Sequence, residues 1–193
     1  MARSTQLGDC IAGVLGIRPT TVASHVRNLR EAGLLTKTGR GITGAHMTPL
    51  DGARLLIAAT CSQDVQDSVE TLHRYGKLTH LGKAVQEDTF PTLSALGDHH
   101  SFAAALATLL DGPSVRLLAD DPKSVVLVTF NHPIHEVLLE VSTHGWEIER
   151  EYKRPWPGKK PSPNQVNLGD RQIRYSFSEK TIFTVGNLIR GED

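Results

Sequence analysis

The chain has 193 residues, of which 39% are hydrophobic and 22% charged, enough for one medium or two small domains with a buried core. Its 21 Lys and Arg residues balance 21 Asp and Glu residues, which excludes a uniformly basic nucleic-acid coat and an acidic disordered chain. The apolar runs are too short to span a membrane, no signal-peptide core follows Met1, and the two cysteines lie far apart, so we expect a cytoplasmic protein without a disulfide framework.

The balanced total hides an uneven distribution of charge along the chain. Residues 1–60 carry a net charge of +4, and residues 61–193 carry a net charge of −4. A basic segment joined to an acidic remainder favours contact of the first part, and not the second, with a polyanion.

The first predicted elements are two short helices separated by a glycine turn. Apolar residues within 7–15 recur at the spacing of one helix face, and Gly16 is a typical helix stop. Pro19 suits a first helical turn, so a second helix is predicted from there to about Ala32. The predicted buried stripe of this second helix consists of Val22, Val26 and Leu29.

The segment from Ile11 to Leu35 resembles the DNA-reading part of bacterial and phage winged helix-turn-helix regulators. It follows the family pattern IA..LGI...TV..H...L..AGLL, with Gly33 at the expected turn. The resemblance implies a winged-helix fold and binding to double-stranded DNA. Members of the family usually have a full helix before this pair, whereas six residues precede Leu7 here, so either the helix predicted at 49–60 or a partner chain would cover that face.

A β-wing and a third helix are predicted next. Leu35–Lys37 and Ile42–Met47 have strand composition on either side of a glycine-containing turn, which places Arg40 at the tip of the wing. In winged-helix proteins such a residue commonly enters the minor groove or binds phosphate. Residues 48–51 (Thr-Pro-Leu-Asp) then supply the N-cap, first-turn proline and capping-box acid of a helix that runs to about Thr60.

The residues predicted to contact DNA lie on the second helix and on both sides of it. Cations would bind phosphates and make the affinity salt-dependent, while hydroxyl, amide and imidazole groups would meet base edges in the major groove. The predicted contact residues are Arg18, Thr20, Thr21, Ser24, His25, Arg27, Asn28, Arg30, Lys37 and Arg40. The alternative is a solvated helix face in a fold that contacts other proteins.

The rest of the chain predicts further helices followed by a sheet. The helices are predicted over 63–75 and 98–110. The strands are predicted over 124–130, 135–141 and 146–152, with a closing hairpin of Arg171–Phe177 and Thr181–Val185. The predicted class is therefore α+β, with an antiparallel sheet of four or five strands. The predicted domains are a winged helix-turn-helix domain at 1–61, a helical connector at 62–97 and an α+β dimerisation or effector domain at 98–193.

Histidine and cysteine allow few further sites. Asp98–His100 and the pair His132 and His135 have residue types that bind zinc, but their spacing is generic and we expect no metal. We expect Cys10 and Cys61 to be small buried apolar residues. The chain contains no glycine-rich phosphate loop, zinc-protease motif or nucleophile elbow, so neither an enzyme nor a cofactor is predicted.

The predicted function is that of a sequence-specific DNA-binding transcriptional regulator, a dimeric repressor of bacterial or phage origin. A homodimer formed through the C-terminal domain would place two recognition helices on successive half-sites. One alternative is a protein-interaction adaptor, such as a phage factor that docks on a host polymerase or another regulator through the acidic sheet and the proline-rich segment 154–163. Another is an enzymatic or small-molecule-sensing C-terminal domain.

Overall fold

The computed structural model describes residues 2–37, 46–80, 93, 96–97, 99–112, 124–133, 135–143, 146–154 and 173–192. This part of the chain forms six α-helices and a five-stranded antiparallel sheet, which confirms the predicted α+β class. The predicted wing turn with Arg40 and most of the proline-rich segment lie outside the described residues.

The helices are α1 (Ser4–Leu15), α2 (Pro19–Glu31), α3 (Pro49–Cys61), α4 (Ser68–Gly76), α5 (Phe102–Asp111) and α6 (Glu179–Arg190), and a short 3-10 turn, Val65–Asp67, leads into α4. The predicted start of α3 is confirmed. Thr48 Oγ1 accepts a hydrogen bond from the N–H of Asp51 at 3.2 Å, and Asp51 Oδ2 accepts one from the N–H of Thr48 at 2.8 Å. The helices predicted at 63–75 and 98–110 begin later than expected.

The strands are β1 (Thr79–His80), β2 (Val125–His132), β3 (Glu136–Thr143), β4 (Trp146–Lys153) and β5 (Ile173–Ser178), in the spatial order β1-β4-β3-β2-β5. Buried and more exposed residues alternate along β2, so one face of the sheet packs on the helices. The other is the more exposed face in the part of the chain that the structure describes, and we call it the open face of the sheet. Buried pairs such as Val128 with Leu139 and Phe130 with Val137 fix the register of the two central strands.

The second strand predicted for the closing hairpin is wrong, because Thr181–Val185 belongs to α6. Thr181, Ile182, Val185 and Ile189 are buried at the spacing of one helix face. The β-branched composition of this segment favours a strand locally, but packing of α6 on α1 and α5 buries a helical stripe instead.

Helix α3 lies at the centre of the helical layer. Leu55, Leu56 and Ile57 are all fully buried, and α3 contacts each of the other five helices. A helix buried on nearly every side needs apolar residues all round, which explains its weak amphipathic pattern.

Aromatic side chains join the helices to the sheet. The ring of Phe102 in α5 lies 5.5 Å from that of Phe130 and 5.2 Å from that of Tyr152, centroid to centroid, in edge-to-face arrangements. One hydrophobic core therefore runs from Leu7 in α1 to Ile189 in α6 and crosses the boundary predicted at residue 61.

Candidate nucleic-acid interface

Helices α1 and α2 and the turn between them form the candidate interface. Gly16 has φ of +66°, and the next residue, Ile17, donates its N–H to the carbonyl of Ala12 at 3.1 Å, which closes α1. Leu7 and Val22 are fully buried between the two helices. Three residues, 16–18, thus separate the end of α1 from the start of α2, and a turn of this length is typical of helix-turn-helix pairs.

One side of α2 faces solvent and carries polar groups. Thr20, Ser24 and Arg27 are exposed at a spacing of four and three residues, which places them on one helix face, and we call these three residues the α2 stripe. The hydroxyl of Ser24 donates to the carbonyl of Thr20 at 3.0 Å. Arg27 Nε donates to Glu31 Oε1 at 2.8 Å, with 77% of the Arg27 side chain exposed. An exposed pair of this kind contributes little stability, so a phosphate can replace the carboxylate at small cost.

The neighbouring side of α2 is covered, which contradicts the expected exposure of two predicted contacts. His25 is only 3% exposed, and its Nδ1 lies 2.7 Å from Ser68 Oγ. Asn28 is half-buried, and its Nδ2 donates to the carbonyl of Val65 at 2.7 Å. We call residues 62–68 the cover segment, because its carbonyl and hydroxyl groups take up the hydrogen bonds that these side chains would offer to bases.

The hydrogen bonds under the cover segment define the tautomer of His25. The hydroxyl of Ser68 donates to the carbonyl of Val65, so its oxygen is left to accept from the N–H at Nδ1 of His25. Burial lowers the pKa of His25, and the nearby Asp64 carboxylate only partly offsets it. His25 is thus a neutral structural residue that ties α2 to the cover segment.

The cations beside α2 differ in how freely they can bind phosphate. Arg18 and Lys37 are exposed. Arg30 is half-buried, and its Nη2 donates to Ser4 Oγ at 2.6 Å, which ties it to α1. Thr21 is half-buried and lines a cavity, so it does not belong to the exposed α2 stripe.

The first predicted wing strand is wrong, because Leu35–Lys37 has no strand structure. Instead, Thr36 donates its N–H to Asp51 Oδ1 at 2.9 Å and its hydroxyl to Asp51 Oδ2 at 2.7 Å. Burial alone would raise the pKa of Asp51, but the hydrogen bonds from Thr48 and Thr36 outweigh it and lower that pKa. The capping acid of α3 therefore also holds the chain that leaves α2, a role that spacing alone did not indicate.

Among the described residues, which do not include Asp98, no group of three or more His, Cys, Asp or Glu side chains is placed to hold a metal ion. His132 and His135 face each other with ring centroids 5.4 Å apart, and burial lowers the pKa of His135 to about 4. Cys61 is buried as expected, and burial raises its pKa well above the usual value. Cys10 is half-buried, and burial raises its pKa as well. Raised thiol pKa values disfavour the reactive thiolate.

No known protein family, curated protein or solved structure matches this chain. Within the described ranges, none of the helices is both long and apolar enough to cross a lipid bilayer.

Proposed function

We propose that the protein binds double-stranded DNA sequence-specifically through α2 and regulates transcription as a homodimeric repressor of bacterial or phage origin. The observation that carries this proposal is the α2 stripe, which presents two hydroxyl groups and a guanidinium to solvent on the second helix of a helix-turn-helix pair. A major groove admits one helix, and hydroxyl and guanidinium groups suit its base edges.

The burial pattern narrows the proposed contact set. Thr20, Ser24 and Arg27 are the proposed base-reading residues, and Arg18 and Lys37 are the proposed phosphate contacts. His25 and Asn28 are removed from the set while the cover segment stays in place. The net charge of +4 on residues 1–60 supports the same location for a polyanion.

Selection from a random duplex library tests the proposal. The wild-type protein should enrich a palindromic consensus, because a homodimer reads two half-sites. Ser24→Ala should change the preferred bases, whereas Arg154→Ala, which removes an exposed cation from the end of β4, should leave the consensus unchanged. Failure to enrich any sequence, with weak binding even at low salt, would contradict the proposal.

A second candidate function is protein-interaction adaptor, favoured by the open face of the sheet. Glu140 of β3 and Glu149 of β4 are directly opposed there, and Val125 of β2 is 49% exposed. Opposed carboxylates repel unless a cation lies between them, so this face suits a partner surface rich in Lys and Arg. Binding of an oligo-arginine peptide that is weakened by Glu149→Gln, together with absence of duplex binding, would favour this function over the first.

A further inference from the structure

A cavity of about 650 Å³ lies between the start of α2, the end of α3 and strand β5. Its volume is in the range of small-molecule sites. Because β5 is the end strand of the described sheet, we call this the edge cavity. Its wall combines Ile17 and Thr21 of the helix-turn-helix pair, Val65 of the cover segment and Tyr175 of β5.

The edge cavity has an apolar part formed by aliphatic side chains and one aromatic ring. Leu15 and Ile17 contribute from the end of α1 and the turn, Ala59 from α3, and Tyr175 from β5. These residues are only partly buried, although they pack against the hydrophobic core. An apolar ligand body of moderate size would remove this surface from water.

Polar residues also line the edge cavity. Thr60 and Ser62 line it, and the hydroxyl oxygens of both are buried without a hydrogen-bond partner among the described residues. Strand β5 adds backbone groups, because among the described strands residues 174–176 pair with β2 on one edge only.

Arg174 gives the cavity a charge preference. It is the one Lys or Arg among the lining residues, and within the described ranges no ion pair or side-chain hydrogen bond engages it. The one lining carboxylate, Asp64, already accepts the N–H of Gln66 at 3.0 Å and caps the 3-10 turn. Arg174 is therefore the lining group that can bind an anion, and a guanidinium binds a carboxylate through two parallel hydrogen bonds.

We propose that the edge cavity is a binding site for a monocarboxylic acid with an apolar body. Arg174 binds the carboxylate at the β5 side. Leu15, Ile17 and Tyr175 contact the apolar body.

Occupancy of this site would regulate the α2 stripe, an extension that rests on the proposed function. Thr21 and His25 line the cavity from α2, and residues 62–65 line it from the cover segment. The ligand would thus add contacts between α2 and the segment that covers His25 and Asn28. Because α2 carries the proposed DNA contacts with the cover segment in place, contacts added between the two should change the affinity for DNA, and linkage requires that DNA change ligand affinity by the same factor.

Calorimetric titration of the full chain, without DNA, tests the site. The probes are benzoate, 1-naphthoate and octanoate, each compared with its primary amide, which has a similar shape and no charge. At least one acid should bind about tenfold more tightly than its amide, because the amide loses the charge-assisted pair with Arg174. Equal affinity of every acid and its amide, or no binding of any acid at about 5 mM, would overturn the proposal.

Three variants locate the site. Arg174→Gln should remove the preference for the acid, whereas Arg154→Gln, which changes another exposed arginine at the end of β4, should leave it intact. Ala59→Phe should abolish binding by filling the cavity, with thermal unfolding as the check that the variant folds. Undiminished binding by Arg174→Gln or by folded Ala59→Phe would place the ligand elsewhere and overturn the proposal.

A second titration, with duplex DNA, tests the regulatory extension separately. A saturating acid should change the affinity for DNA about threefold or more. If the acid binds and the DNA affinity does not change, the regulatory extension fails. If the protein binds no DNA at all, the proposed function fails. The calorimetric titration without DNA then still tests whether the edge cavity binds the acid.

Discussion

The α2 stripe and the open face of the sheet differ in charge and in the groups that they present to solvent. The α2 stripe carries hydroxyl groups and Arg27, next to the exposed cations Arg18 and Lys37. The open face of the sheet carries the opposed pair Glu140 and Glu149. A chain with zero net charge thus has one surface suited to a polyanion and another that repels it. Under the proposed function, charge distribution rather than total charge therefore indicates the orientation on DNA.

The α2 stripe and the open face of the sheet belong to one folded unit only if helices α3, α5 and α6 stay packed together. Gly186 of α6 lies where α6 packs closely on α5, and a Cβ added there would come within 2.5 Å of the Leu110 carbonyl oxygen. Gly186→Ala should therefore lower the free energy of unfolding by about 2–3 kcal/mol, measured by urea unfolding. As a control, Gly13→Ala in the exposed part of α1, with no atom within 4 Å of the new Cβ, should be stabilising by about 0.5–1 kcal/mol. Equal effects of the two changes would contradict the close packing of α6 on α5.

Charge reversal on each surface sharpens the contrast between them. Arg27→Glu should weaken duplex binding about tenfold, or about 1.4 kcal/mol, because it removes one contact and adds repulsion. Glu149→Lys, an opposite reversal on the open face of the sheet, should change the affinity less than about twofold. Fluorescence anisotropy at two salt concentrations measures both. A larger effect of Glu149→Lys would locate DNA on the sheet and not on α2.

Each region also holds a histidine that burial keeps neutral, His25 under the cover segment and His135 in the turn between β2 and β3. The folded pKa of His135, about 4, lies below its usual value of 6.5, so the unfolded chain binds more protons between these values. Stability should therefore fall as the pH decreases from about 6.5 to 4 and level off below, with a loss of about 1 kcal/mol from this partly hydrated ring.

The variant His135→Asn isolates this contribution. His135 has φ of +55°, and Asn is one of the few residues that tolerate a positive φ, so the turn is retained. Urea unfolding between pH 7 and 4 should show a shallower loss of stability for the variant than for the wild type. Parallel pH profiles would show that the His135 ring is not protected from protonation in the folded state.

The smallest expected effect comes from the opposed carboxylates of the sheet. Glu140→Gln should raise the free energy of unfolding by about 0.3–0.5 kcal/mol, because it relieves the repulsion from Glu149. Glu136→Gln is the matched control, since Glu136 pairs with Lys153 Nζ at 3.4 Å and its loss should be neutral or slightly destabilising. The gain should shrink in high salt; a gain that persists would have a cause other than charge repulsion.

Local signals in the sequence predicted most of the fold. Gly16 and Thr48 mark helix ends through capping chemistry that operates within a few residues, and the alternation in β2 and β3 reflects one buried face of a sheet. The strand predicted for residues 181–185 is wrong because their β-branched side chains favour strands locally, whereas packing on α1 and α5 stabilises a helix.

The candidate site was predicted less completely, for a physical reason. Helical spacing placed His25 and Asn28 beside Ser24, but the segment that covers them is some 40 residues away in the sequence, and periodicity carries no information on such contacts. Arg174 of β5 lines the same cavity as Thr21 of α2, a long-range arrangement that periodicity likewise does not indicate. One available signal is the position of His25 next to Val26 and near Leu29, two residues of the predicted buried stripe. Histidine is intermediate in its preference for burial, so a histidine at such a position can belong to the core.

The most direct test of the central claim is a titration of ¹⁵N-labelled protein with a duplex taken from the selection, followed by amide chemical shifts. The account predicts the largest changes at Thr20, Ser24 and Arg27, with small changes along β3 and β4. Changes confined to the sheet, or no changes under conditions where the duplex is bound by a filter assay, would contradict the assignment of α2 as the DNA-binding element.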